Sequence, residues 1–378
     1  MKTGKRIAPE GGTEMLFDES AGRAEAEARI RKLFEGCGFC EVVTPTLEYY
    51  DLFSEGAGAL EQSEMFTLTD RTGRLLALRP DSTKPIARLY ASRLKNPEFP
   101  VRLYYNQSVF RRNVALSSRP NEVLQIGAEL LGKGGKSADL EAVALAVESL
   151  SQVSDDFLFE LSHVGVYNKI IRNLGVSGEL AEALRECIAA KNFSALDTLL
   201  VENEVRDSEK IKILPRLFGG EEVLAEARAL FEDEEIRKTL DYLGELMDGL
   251  DRMGAKGKIS FDLALANEYN YYTGLVFKGY TPAGGEVLSG GRYDNLYKDF
   301  GLNVDAVGFA VNLDALAGSV QTAPAQTVLV RSEDPVAAIR AQRELRQKGF
   351  RAEIATDMTR EEAARYAKKT GAARILEV

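Results

Sequence analysis

The residues with the most chemical character fall in a few short clusters. Arg79-Pro80-Asp81-Ser82-Thr83 places a carboxylate and a hydroxyl at a helix start. In isolation it reads as an N-cap, with Asp81 or Ser82 accepting from first-turn amides; the alternative is a ligand contact. The run Arg102 to Arg112 leads through a loop containing Ser118-Arg119-Pro120 to Gln125-Ile126-Gly127-Ala128-Glu129. Gln125 and Glu129 are four apart, so on a strand they share a face. Such a pair amid Leu and Ile is either an exposed sheet face or the floor of a polar pocket. In the second case its carboxylate would receive a cationic or N–H-bearing ligand. Two further clusters, Asn267 to Phe277 and Ser289 to Leu296, are rich in Tyr and Gly, either as an aromatic hairpin or because paired glycines let backbone approach a ligand. Cys37 and Cys40 form a lone CxxC with no second pair, and His163 is the only histidine. The cysteines therefore read as small residues in a helix-to-strand turn rather than half a zinc site, and Cys187 as core.

These clusters need elements to hold them. Residues 19–36 have helical periodicity with Ile30, Leu33 and Phe34 on one face. A short strand, Glu41 to Thr44, is closed by Pro45. Glu64 to Phe66 and Leu75 to Leu78 suggest a hairpin about Asp70-Arg71-Thr72-Gly73. Thr83 to Leu94 is expected to be a helix with Pro85 in its first turn. Val101–Tyr105, Val109–Arg112 and Leu124–Leu131 read as strands, and Ser137–Leu150 as a helix. About 168–257 is Leu-, Ala- and Glu-rich and helical throughout, as an insertion would be. Strand patterns return at Lys258–Asp262, Tyr272–Lys278 and Gly308–Val311, with Gly284-Gly285 at a hairpin tip. After a linker, Gln321 to Gln326, residues 327–378 read as a small βαβαβ module. The expectation is an α+β fold: an antiparallel sheet flanked by helices in 1–320, a helical insertion, and a C-terminal α/β module.

The chain has 378 residues, 45% hydrophobic and 28% charged, with a formal net charge of −10. That balance gives no global attraction for nucleic acid, which makes a long RNA footprint unexpected. No apolar run is long enough for a transmembrane helix, and Met1 to Thr13 lacks the apolar region of a signal peptide. No membrane association is expected, and the cytoplasm is the default compartment.

Order and spacing make the clusters specific together. Gly38-Phe39 with Thr44-Pro45-Thr46-Leu47-Glu48 resembles motif 1 of class II aminoacyl-tRNA synthetases, and Phe110-Arg111 with the returning Gln125–Glu129 strand resembles motif 2. Gly308-Phe309-Ala310 resembles the start of motif 3. Arg79–Thr83, Tyr271-Tyr272-Thr273-Gly274 and Gly290-Gly291-Arg292-Tyr293-Asp294 are similar to the histidyl-tRNA synthetase branch. The resemblance covers nearly all of 8–320 and includes a helical insertion at the expected place. It implies a histidine pocket formed by Asp81, Thr83, Arg111, Gln125, Glu129, Tyr271 and Tyr272. Asp81, in place of the branch's glutamate, and Gln125 would take the ligand's ammonium. Glu129 and Tyr272 would face its imidazole, and Arg111 its carboxylate.

The same resemblance marks what is missing. Adenylate formation needs fixed positive charge on ATP's phosphates, and losing one such donor costs about a hundred- to a thousandfold in rate. Arg111 and Arg119 remain, but the branch's other arginine positions fall at Asn121, Asn267 and Ala315, and a nearby aspartate at Asn270. The module at 327–378 is about half the length of an anticodon-binding domain of this kind, and its eleven Lys+Arg against eight Asp+Glu make it only mildly basic. These departures are similar to the regulatory subunits of ATP phosphoribosyltransferase. The resemblance then implies a non-catalytic chain without cofactor or metal. It would pair with a short catalytic subunit at the first step of histidine biosynthesis, as a homodimer within a hetero-oligomer, and transmit feedback by L-histidine. The alternative, leaning on Arg111, Arg119 and Arg292, is a divergent histidine–tRNA ligase or ligase subunit.

Overall fold

The computed structural model describes residues 7–94, 97–98, 100–113, 120–265, 271–320 and 327–378. The chain divides into two compact units, Met1–Val320 and Gln321–Val378.

The first unit is built on a nine-stranded sheet. Its strands run, in spatial order, Cys40–Glu41, Val101–Phe110, Glu122–Leu131, Ala306–Asn312, Gly285–Arg292, Leu275–Thr281, Leu158–His163, Ile259–Asp262 and Phe218–Gly219. Two pairings are parallel, Cys40–Glu41 on Leu103–Tyr104 and Phe159–Leu161 on Ile259–Phe261; the others are antiparallel. The second parallel pair follows from connectivity, because the whole helical insertion lies between its strands and a hairpin cannot. The expected strands Val101–Tyr105 and Val109–Arg112 are one ten-residue strand, since its ladder to Glu122–Leu131 runs unbroken from Val101–Leu131 to Phe110–Glu122.

Alternation along these strands separates the two faces of the sheet. Tyr104, Ile126, Ala128 and Phe309 join Ala26, Ile30 and Phe34 of the Asp18–Gly36 helix and the Lys136–Ser151 helix in the main core. Leu103, Tyr105 and Leu131 pack on the other face with Ile86, Tyr90, Tyr293 and Tyr297. Gln125, Gly127 and Glu129 belong to that second face. The insertion comprises helices from Val164–Leu174 to Glu234–Arg252; the last buries Ile236, Leu240, Leu243, Leu246 and Leu250 along one stripe.

A separate three-stranded sheet orders Leu47–Tyr49, Leu75–Leu78 and Thr67–Thr69. The expected hairpin is present, with its first strand three residues later than anticipated because Gln62–Glu64 forms a 3-10 turn closed by a Glu61–Glu64 capping box. The Thr83 helix is α-helical to Leu89 and then widens to a π turn over Tyr90–Leu94.

The second unit is a parallel sheet in the order Arg351–Ile354, Thr327–Arg331, Arg374–Glu377. Val328 and Val330 pack on one face with Ala338 and Leu345 of the Pro335–Gln347 helix. Leu329 packs on the other face with Ala363 and Ala367 of the Arg360–Thr370 helix. The Gln321 to Gln326 linker lies outside the described residues.

Candidate functional site

All seven residues expected to form a pocket line one narrow cavity of about 30 Å³. Gln125 and Glu129 come from the Glu122–Leu131 strand, and Asp81 and Thr83 from the start of the Thr83 helix. Arg111 follows the Val101–Phe110 strand, and Tyr271 and Tyr272 precede the Leu275–Thr281 strand.

Glu129 is 2% exposed. Its carboxylate accepts from the Thr83 hydroxyl at 3.3 Å and from the Tyr293 hydroxyl. Neither donor is charged, and burial, with Asp81 as a second negative group nearby, pushes Glu129 up to about 8. Directly across the ladder from Glu129 is Gly308. A Cβ there would sit 1.7 Å from Glu129 Oε2 and 2.6 Å from the Ala128 carbonyl oxygen, so only glycine leaves the carboxylate its place. Gly291 does the same for Tyr272, whose ring would lie 2.6 Å from an added Cβ.

Asp81 satisfies both readings of its cluster. Its carboxylate accepts from the Lys84 backbone N–H at 2.9 Å, capping the helix, while the residue lines the cavity. Burial raises its pKa against the opposing pull of that bond, Lys84 and Arg111. Arg111 Nε donates to the Pro80 carbonyl at 3.0 Å, which fixes the guanidinium at the cavity wall. The Gln125 amide has no side-chain hydrogen-bond partner among the described residues, which leaves its carbonyl and NH₂ available to a ligand. Tyr271 and Tyr272 have ring centroids 4.7 Å apart. Two buried carboxylates, one arginine and an amide in one enclosed space suit a small zwitterion that carries an additional cationic or N–H-bearing group.

Seven further wall residues, Ser82, Tyr105, Ser289, Tyr293, Gly308, Phe309 and Ala310, were not assigned to the pocket from sequence. Tyr105 lies opposite Gly127 in the ladder, and that glycine makes room for its ring. An aromatic facing a glycine two residues from Gln125 is the signal that could have found it. Behind the wall, Gln107 donates to Ser82 at 2.9 Å and to Thr44 at 3.0 Å. Arg79 donates to the carbonyls of Thr44 and Ser108. Arg79 thus ties the Val101–Phe110 strand to the segment before Leu47 and is not a wall residue.

The histidyl-tRNA synthetase family profile matches residues 11–316. The ATP phosphoribosyltransferase regulatory subunit of Clostridium botulinum is 36% identical over 320 residues, covering 83% of this chain and 76% of that protein. That of Clostridium kluyveri is 35% identical, with 97% of each chain covered. The chain belongs to the family of ATP phosphoribosyltransferase regulatory subunits. A crystal structure of an ATP phosphoribosyltransferase regulatory subunit/histidyl-tRNA synthetase from Bacillus halodurans C superposes with a TM-score of 0.83 at 30% identity, covering 98% of both chains. The fold is that of a class II synthetase of the histidyl branch.

Within this regulatory-subunit fold, the described residues expected to stand at synthetase arginine positions make other contacts. Asn121 bridges two segments: its amide donates to the Glu10 carbonyl at 3.1 Å and its Oδ1 accepts from the Asn113 N–H at 3.1 Å. Ala315 packs against the main core. Asn267, Asn270 and Arg119 lie outside the described residues. Arg292 is not a wall residue. It precedes Tyr293, and adjacent strand residues face opposite ways, so it sits behind the sheet in ion pairs with Asp139 at 2.5 Å and Asp294 at 3.0 Å. His163 caps the Val164–Leu174 helix by accepting the Gly165 N–H at 3.0 Å. Cys37 and Cys40 are exposed free thiols, and no cluster of metal-ligating side chains occurs among the described residues.

Proposed function

We propose that this chain is a non-catalytic regulatory subunit of ATP phosphoribosyltransferase that activates a short catalytic subunit and senses L-histidine at the cavity around Glu129. The observation that carries this reading is the convergence of Asp81, Thr83, Arg111, Gln125, Glu129, Tyr271 and Tyr272 on one cavity, while Asn121 and Ala315 supply no charge for a nucleotide. In the proposed complex, the partner joins ATP and phosphoribosyl diphosphate, a glycosyl transfer. Histidine in the cavity lowers that rate through a coupling free energy of about 1–3 kcal/mol. Asp81 and Gln125 hold the ligand's ammonium, Arg111 its carboxylate, and Glu129 with Tyr272 its imidazole.

We also propose a twofold homodimer. On the small sheet, Leu47, Tyr49 and Leu68 are 41%, 45% and 41% exposed, and register places them on one face with Leu76 and Leu78. The alternation is inverted: Glu48 points inward to Arg88 at 2.7 Å while its apolar neighbours face out. A face with that pattern suits burial against its own copy.

The test is to mix the protein with a cognate short-form phosphoribosyltransferase and follow phosphoribosyl-ATP. Activity that requires both chains, falls with histidine and loses that response in Glu129→Ala supports the reading. No change in rate or inhibition removes it. Histidine-dependent ATP–pyrophosphate exchange at ordinary synthetase rates would establish the ligase alternative instead.

A further inference from the structure

The cavity's charge balance says more about its ligand than shape does. Glu129 takes part in no ion pair among the described residues; its two bonded partners are hydroxyls. The charged or titratable groups around it are Asp81 on the helix start, Tyr105 on the neighbouring strand and Arg111 just after it, Tyr271 and Tyr272, and Tyr293 with Tyr297 on the segment after Arg292. Of these only Arg111 is cationic. Its fork is anchored on Pro80 and its field acts on Asp81 and Tyr105. A carboxylate buried with no cation beside it keeps its proton until a cation arrives.

We infer that Glu129 hands a proton to its ligand's ring, so that the cavity selects histidine as an imidazolium. This rests on the histidine reading above and extends it to the ligand's protonation state. In the step, the O–H bond of the Glu129 carboxyl breaks and an N–H bond forms on the ring nitrogen, with no net exchange with solvent. The products are a carboxylate and an imidazolium in contact, each neutralising the other inside the protein, with Thr83 and Tyr293 donating to the oxygens the proton leaves behind. An isosteric ring that cannot accept the proton would leave Glu129 neutral and lose the charge-assisted bond.

The pH dependence follows from counting protons. A free imidazole titrates near about 6.5 and Glu129 near about 8. Between those values the separated partners hold one proton, on Glu129, and the complex holds one, on the ring, so affinity is flat. Below that window the free partners hold two and binding must release one. Above it they hold none and binding must take one up. Affinity therefore falls by up to about tenfold per pH unit on either side.

The decisive experiment is nitrogen NMR of ring-labelled histidine bound to the full-length protein at pH 7.5, where the free ring is about nine-tenths neutral. The expected result is two protonated ring nitrogens in the bound state, and in Glu129→Gln a neutral ring bound at least about tenfold more weakly. The ring nitrogens report on this proton whatever the ligand's amino group does. A neutral ring tautomer on the native protein overturns the inference and leaves the histidine site standing, as does an imidazolium that persists in Glu129→Gln. No bound signal at millimolar histidine overturns the histidine reading and this inference together.

Discussion

Single residues in this chain owe their chemistry to what surrounds them. His163 illustrates this away from the cavity. Burial, reinforced by the Arg292 charge, lowers its pKa to about 4, and its Nδ1 is occupied accepting the Gly165 N–H, which places the proton of the neutral ring on Nε2. Its folded pKa lies below the unfolded value of about 6.5, so between those pH values the unfolded chain binds a proton that the folded chain refuses. Stability from this group is complete above about pH 6.5 and drains away as pH falls towards 4, by about 3 kcal/mol. Because the chain has one histidine, its imidazole signal in NMR is assigned without mutagenesis. It should titrate near 4 in the folded protein, and His163→Asn, which can still cap the helix, should lose correspondingly less stability on acidification. A midpoint near 6.5 in the folded state would contradict this. The sequence showed that His163 stands alone; its role as a cap depends on the turn from the Leu158–His163 strand into the Val164–Leu174 helix.

At the scale of elements, the cavity wall is held from behind. Asp139 on the Lys136–Ser151 helix accepts from Arg292 at the end of the Gly285–Arg292 strand and from Tyr242 on the Glu234–Arg252 helix. One carboxylate, 4% exposed, thus joins two helices to the strand whose next residue, Tyr293, reaches Glu129. Removing one partner of a buried pair leaves the other charge uncompensated, a larger effect than the pair's net contribution. Asp139→Asn should lower unfolding free energy by about 3 kcal/mol in urea titrations. It should also weaken histidine binding, although it touches no cavity atom. A loss under about 0.5 kcal/mol, typical of an exposed pair, would show that Asp294 alone satisfies Arg292. Of these elements, the Lys136–Ser151 helix was legible as a periodic run to within a residue at each end, the Glu234–Arg252 helix only as part of a longer helical stretch, and the Gly285–Arg292 strand only through its hairpin tip. The pairing of Asp139 with Arg292, 153 positions apart, had no local signature.

For the whole molecule, the outward apolar face of Leu47, Tyr49 and Leu68 predicts association. The native chain should sediment as a dimer at micromolar concentration, and Leu47→Glu with Tyr49→Glu, which replaces apolar contacts by facing like charges, should sediment as a monomer with an unchanged circular dichroism spectrum. A native monomer would remove the proposed twofold. This face also shows where reading along the chain stops. Motif order, glycine placement and strand alternation were local, so the sequence alone determined the fold class and pointed to the insertion, the βαβαβ module and seven of the residues that line the cavity. It also marked Asn121 and Ala315 as neutral. Tertiary structure decided the rest, because burial and facing belong to no single segment. It brought in Tyr105, Ser289 and Tyr293 from other segments, turned Arg292 to the back of the sheet by its place beside Tyr293, and left Glu129 bonded to two hydroxyls and in no ion pair among the described residues. A carboxylate's charge state depends on the groups within a few ångströms of it, and in this chain those groups come from segments far apart in sequence.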